Sequence, residues 1–300
     1  MSEPNQRSIA HDGAAARGLS VVVALQKKQP VERCLASLIG QRADGVALQI
    51  VLVGAPDAGW IPSLDPPHVA VRSPHRSLPM LHGSGIAHAA HPLIAFTEAH
   101  CSFEAGWAEA AIAAMSDGCA AAGGAVVCSP ELRGISRALY WADYVAFAPP
   151  LEARATAELP GNNVVFRRDA LPEDAHANGF WKSFHCQALE RRGAAMKLDP
   201  ALVVEYGRRI SLVELVSRRY HHGRCFGGMR AREMSLARRI AATAAAPLLP
   251  FVLTARVARR AVGRARIGAF LHSIFVMNAL WIAGEAVGNA FGSGSSCGEL

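Results

Sequence analysis

The sequence predicts an α/β fold with a mostly parallel central sheet, followed by apolar helices that associate with a membrane. Three observations predict it. Strand-like and helix-like segments alternate from Leu19 to Tyr206. The first strand-like runs are apolar on both faces, as strands buried beneath helices are. After Tyr206 the chain changes character, becoming arginine-rich and then apolar. With 300 residues, 51% of them hydrophobic and 18% charged, the chain can bury a sizeable core and is neither disordered nor collagen-like.

The elements follow in order. Leu19 to Leu25 reads as a buried strand. This run of seven residues leads almost at once into Lys27 and Lys28, which is not the layout of a secretory signal. Pro30 suits the first turn of a helix carrying Cys34, Leu35, Leu38 and Ile39 on one face, with Gly40 as its stop. Ala47 to Val53 is a second buried strand, ended by Gly54, Ala55, Pro56 and Asp57. Strand, helix and strand in so short a span make a βαβ unit, and hence a parallel sheet. Val69 to Arg72 reads as a short strand, Leu81 to His91 as a helix, and Leu93 to Phe96 as a strand running into Glu98, Ala99 and His100. Gly106 to Met115 is helical, Ala125 to Cys128 a strand, and Gly134 to Phe147 an aromatic-bearing helix before Pro149 and Pro150. Asn162 and Asn163 precede the strand Val164 to Phe166; a helix from Gly179 to Arg192 and a strand from Leu202 to Tyr206 close the series.

Residues 207–266 hold fourteen of the chain's 31 basic residues, all arginine, but two of its 24 acids, Glu214 and Glu233. Two uncharged runs follow, Ile240 to Ala255 with Pro247 and Pro250, and Ile267 to Gly284. Each falls just short of the ~20 apolar residues of a spanning helix. Helices lying on the cytoplasmic membrane face, with arginines on anionic headgroups, are the expectation; a hairpin of two spans and a buried helical pair are the alternatives. Nucleic acid is not an expected partner, because the arginines bracket apolar helices rather than aromatic stacking strands. Seven cysteines, with no Cys-x-x-Cys pair, exclude a zinc ribbon and point to a reducing compartment rather than a disulfide scaffold.

The opening strand with Arg33 to Gln41, the run Gly85 to Phe96 with Glu98 to His100, Ala105 to Ala110, Gly161 to Leu171, and Phe180 to Tyr206 together resemble the family 2 glycosyltransferases in the right order. The resemblance implies the GT-A nucleotide-sugar-binding fold over 19–206. It leaves 1–18 as a disordered tail, 207–239 as a basic helical linker, 240–291 as an apolar membrane-associated segment and 292–300 as a flexible tail. It implies transfer of a sugar from a nucleoside-diphosphate donor to a lipid-linked or polysaccharide acceptor. The alternative is a non-catalytic, glycosyltransferase-like, membrane-bound binding protein.

By the resemblance, Ala24, Gln26, Gly54 and Asp57 lie on the nucleotide-sugar side, and Asn162, Asn163 and Trp181 on the acceptor side. Asp57 is equally a turn former and Asn162 or Asn163 a turn cap; Trp107 and Trp181 read first as core anchors. Glu98 and His100 stand where the family holds a divalent metal, and a carboxylate with an imidazole suits Mn²⁺ better than Mg²⁺; the other reading is an exposed loop. The family's acidic base is replaced at the late helix by Trp181 and Lys182, which leaves Lys182, Glu173 and Asp174 as catalytic candidates. His82, His88 and His91 read as helix-surface residues, and Gly83-Ser-Gly85 does not make a dinucleotide fingerprint. His221 and His222 read as part of a solvated basic face.

Overall fold

The computed structural model describes residues 18–41, 46–261 and 267–300. Residues 1–17 of the expected tail, and Arg264 and Arg266, lie outside them. Nine strands form one sheet: β1 (Gly18–Leu25), β2 (Ala47–Gly54), β3 (Val69–Arg72), β4 (Leu93–Glu98), β5 (Cys101–Phe103), β6 (Ala121–Cys128), β7 (Arg154–Ala155), β8 (Val164–Arg167) and β9 (Met196–Tyr206). Their order is β3-β2-β1-β4-β8-β6-β9-β5, with β7 paired to β9. The first four strands pair in parallel, as the βαβ reading requires. The second half is mixed: β8 runs antiparallel between β4 and β6, β6 and β9 are parallel, and β5 is antiparallel to β9. This arrangement brings the carboxyl ends of β1, β2, β4, β6 and β9 to one edge.

Strand alternation feeds two cores. Val22 and Ala24 of β1 face one side, while Val21 and Val23 face the other, all buried. Helices α1 (Glu32–Ile39) and α3 (Trp107–Ala114) cover the second side, through Cys34, Leu35, Leu38, Trp107 and Ala111. On the first side lie α2 (Leu78–His88), α4 (Gly134–Tyr144), the short α5 (Ala175–Asn178) and α6 (Lys182–Arg191), which bury Leu81, Tyr140, Trp141, Ala175 and Leu189. Gly83 and Gly85 serve this packing: a Cβ would lie 2.1 Å from the Ala175 carbonyl oxygen and 2.2 Å from Val22 Cγ1.

Four helices follow: α7 (Leu212–Ala231), α8 (Leu236–Ala245), α9 (Leu249–Arg260) and α10 (Leu271–Phe291). Helices α7 and α10 meet through glycines four residues apart on each. A Cβ on Gly223 would come 1.9 Å from the Trp281 carbonyl oxygen, and one on Gly284 2.1 Å from that of Tyr220. Gly227 and Gly288 meet Glu285 and Arg224 in the same way. Backbones this close exclude any side chain. Gly284→Ala is therefore expected to lower unfolding free energy by about 2 kcal/mol or more, read as a shifted urea midpoint; an unchanged midpoint would contradict the packing.

The C-terminal arrangement corrects two expectations. Cys225 and Cys297 are joined by a disulfide closing 72 residues, although the scattered spacing pointed away from any bridge; the remaining five cysteines are free. Residues expected to trail as a flexible tail are folded back: Ser296–Glu299 forms a turn against α7, and the Leu300 carbonyl accepts from the Leu78 N–H (2.9 Å).

Candidate functional site

The carboxyl edge of the sheet carries the chemistry. At the end of β4, Glu98 is buried with 6% of its surface exposed. Ala99 and His100 turn the chain into β5, whose pairing with β9 sets Cys101 opposite Tyr206. The Gly207 N–H then donates to the His100 carbonyl (3.0 Å), carrying Arg208 back over Glu98. Arg208 forks between two acids: Nη1 lies 3.4 Å from Glu98 Oε2 and Nη2 3.0 Å from Glu214 Oε1. Glu214 stands in the first turn of α7, where its N–H donates to the capping Ser211 hydroxyl (3.2 Å). One turn further on, Arg218 Nη1 donates to Gln26 Oε1 (3.2 Å) at the end of β1. Arg219 pairs with Asp143 of α4 at 2.7 Å.

Burial raises the Glu98 carboxyl, but the charges of Arg218 and Arg208 and the imidazoles of His100 and His82 outweigh it and hold the group below the usual carboxylate range. His100 Nδ1 is 3.8 Å from Glu98 Oε2, and its Nε2 has no hydrogen-bond partner among the described residues. Burial, reinforced by Arg208 and Arg218, pushes His100 down to about 4 against the pull of Glu98, so the ring is neutral at pH 7. His82 was expected on a helix surface, yet it is buried, lies with its ring tilted against Phe96 (5.1 Å) and donates from Nε2 to the Thr97 carbonyl (3.3 Å). Burial pushes it down to about 4 as well.

Two adjoining cavities open here. One of about 450 Å³ sits beyond β1 and β2, lined by Gln26, Lys27, Asp57, Arg76, Glu214 and Arg218. The other, about 470 Å³, lies between α2, α4, α6 and α7 and is largely aromatic, with Phe180, Trp181, Phe184, Phe226 and Trp281 around Glu98, Asp143 and Lys182. Arg218 and Leu300 line both.

The structure thus brings together Gln26, Asp57, Glu98, Trp181 and Lys182 and sets other expected residues apart. Asp57 is paired with Arg76 (3.3 Å). Lys182 Nζ donates to the Leu159 carbonyl, and burial pushes it below its usual range. Ala24 and Gly54 lie beneath the edge, their carbonyls taken by the Ala99 and Ser73 N–H groups. Asn163 is fully buried: its Oδ1 accepts from Trp107 Nε1 (3.0 Å), and its Nδ2 donates to the Ala125 and Leu202 carbonyls (2.9 Å each). Asn162, equally buried, donates to Cys101 Sγ (3.3 Å). These two asparagines tie β8 to its neighbours and line neither cavity. Glu173 and Asp174 are exposed at the start of α5, where Asp174 accepts from Asn178 Nδ2 (2.8 Å), outside both cavities.

Arg208, Arg218, Arg219, Asp143 and His82 were not among the expected site residues. The three arginines fall in the stretch read as a basic helical linker, 207–239, and turn inward. The Ser211-Leu-Val-Glu214 cap, with Arg218 one turn after its acid, was the signal that separated them. His222 also turns in: it packs on Trp281 (4.3 Å), and burial with Arg218 and Arg219 pushes it down to about 3.

No protein-family model matches the chain, and no curated protein matches it. Among solved structures it is similar to the mannosyltransferase PcManGT from Pyrobaculum calidifontis in complex with GDP-Man and Mn²⁺. The two are 18% identical over 92% of this chain and 87% of that one, with a TM-score of 0.56. At that identity the likeness concerns architecture: the two chains share a fold.

Proposed function

We propose that the protein transfers a sugar from a nucleoside-diphosphate donor to a lipid-linked acceptor at a membrane surface. The observation that carries this reading is the pair of unlike cavities meeting at Arg218. The first offers Lys27, Arg76 and Arg218 to a diphosphate, which would displace the pairings of Lys27 with Glu214 and of Arg76 with Asp57. The second, with aromatic rings beside Glu98, Asp143, Lys182 and Arg219, suits a sugar ring, and the exposed apolar faces of the last helices favour a lipid-linked acceptor. The GDP-Man in the neighbouring structure supports a nucleotide-sugar donor.

In the proposed reaction the bond from the anomeric carbon to the diphosphate oxygen breaks, and its electron pair leaves with the diphosphate. The acceptor oxygen bonds the same carbon and gives up its proton. Of the carboxylates lining this cavity, Glu98, Asp143 and Glu158, we assign Asp143 to receive that proton: its side chain is 37% exposed, against 8% for Glu98, which Arg208 and His100 flank.

The Mn²⁺ of the neighbour raises the question of whether Glu98 and His100 fit a divalent ion. Among the described residues no third His, Cys, Asp or Glu joins them. Glu98 Oε2 is already faced by Arg208. An ion there would share the single Glu98 carboxylate with the Arg208 guanidinium, whose repulsion offsets much of the carboxylate's attraction. The donor set does not fit the ion.

Membrane association rests on the outer faces of α8 to α10. The stretches Leu236–Arg260 and Ile267–Phe291 are each 25 residues, long and apolar enough to cross a membrane. Leu236, Ile240, Leu248, Phe251 and Phe291 are exposed, as are Arg232, Arg238, Arg256 and Arg259. That mixture suits helices lying on anionic lipid, at about 1 kcal/mol per arginine. The test is turnover by the full chain with a panel of nucleotide sugars and a lipid phosphate presented in anionic or neutral vesicles. Transfer from at least one donor, faster on anionic vesicles, is expected. No nucleotide binding and no transfer from any donor would overturn the reading in favour of a non-catalytic protein.

A further inference from the structure

We propose that Arg218, with Arg208 behind it, takes the place of a divalent cation in this crevice, neutralising the donor diphosphate, with Glu98 as the residue that holds Arg208. The inference rests on the transferase reading above and deepens it. Two guanidiniums carry the same double charge as one divalent ion and add fixed N–H donors suited to phosphate oxygens. Both are held from behind. Arg208 is forked between Glu98 and Glu214, with 11% of its side chain exposed. Arg218 is anchored on Gln26 and borders both cavities, so it stands where a diphosphate in one would meet the anomeric carbon in the other.

The strand-end carboxylate therefore has a different task from metal ligation. Glu98 lines the aromatic cavity, holds Arg208 behind it and offsets the repulsion between the Arg208 and Arg218 guanidiniums. When the anomeric carbon–oxygen bond breaks, the electron pair passes to the terminal diphosphate oxygen. The Arg218 N–H groups donate to that oxygen, and the step requires neither a redox change nor a further ion. Lys27 and Arg76 also line the nucleotide side, where they are paired with Glu214 and Asp57.

The experiment is calorimetric titration of the full chain with UDP and with GDP, in EDTA and in Mn²⁺, and repeated with Arg218→Ala and Arg218→Lys. For the wild type, the tighter nucleotide should bind with the same affinity in both buffers. Arg218→Ala should weaken it by roughly 10- to 100-fold in both, as expected for lost charge-assisted hydrogen bonds, and Arg218→Lys by less. Binding that appears only with Mn²⁺ overturns the inference and leaves the transferase reading standing. So does wild-type affinity in an Arg218→Ala variant. Absence of binding of either nucleotide in both buffers overturns the two together. The buffer comparison uses the unaltered protein, so it holds even if a variant fails to fold.

Discussion

Glu98→Ala is expected to destabilise the protein by roughly 3–5 kcal/mol, the range for removing one partner of a buried ion pair, and to abolish donor binding. Glu98 is surrounded by groups that depend on its charge. Arg208 lies 3.4 Å away, His100 3.8 Å, and Arg218 is close enough to depress its carboxyl. Without the carboxylate, two cations remain facing one another at the edge of a core, with Glu214 as the remaining acid paired to Arg208. Urea denaturation would show the loss as a lower midpoint at unchanged slope. Adding Arg208→Met should return part of it, since it removes a charge that no longer has its partner. A single-variant loss below about 1 kcal/mol would mean that the pairing is solvated and weak, as at a surface.

Acid is expected to destabilise the fold well before carboxylates titrate. His82, His100 and His222 are pushed by burial to about 4, about 4 and about 3, whereas unfolded histidine titrates near 6.5. Between those values the unfolded chain binds protons that the folded chain refuses, so stability is full above about pH 7 and falls as the pH drops from ~6.5 toward ~4. Three such groups give a slope approaching roughly 4 kcal/mol per pH unit. Glu98 acts in a lower window with the same sign: its depressed carboxyl contributes stability above about pH 4.5 that is lost on further acidification. Thermal unfolding between about pH 7.5 and 5 should show a steep fall, flattened by about a third in His222→Phe, which keeps a ring against Trp281. An unfolding temperature independent of pH over that interval would show that these imidazoles are hydrated.

The first half of the sheet was legible because β1, β2 and β4 are long apolar runs separated by clear helix and turn signals. The start of β6 was not. Ala121 to Gly124 has no strand-like side chains, because a Cβ on Gly124 would lie 2.1 Å from the Leu202 carbonyl oxygen, and Gly123 is pressed by Pro160. Small residues there reflect neighbours far away in the chain. The site divides in the same way. Glu98 could be placed from its position at the end of a buried strand, and Gln26 and Asp57 from theirs. Arg208 and Arg218 reach Glu98 through the pairing of β5 with β9 and the path of α7, a separation of more than a hundred residues that no local pattern encodes. The paired asparagines misled for a related reason: amides suited to a hydroxyl-rich ligand are equally suited to buried backbone carbonyls, and Asn163 spends its amide group on two of them.

The most direct measurement is a structure of the full chain crystallised with UDP or GDP. Density for the diphosphate at Arg218, with the nucleoside between Gln26 and Asp57, is what a donor-binding sheet edge requires. A nucleotide bound elsewhere, with Lys27, Arg76 and Arg218 untouched, would contradict it.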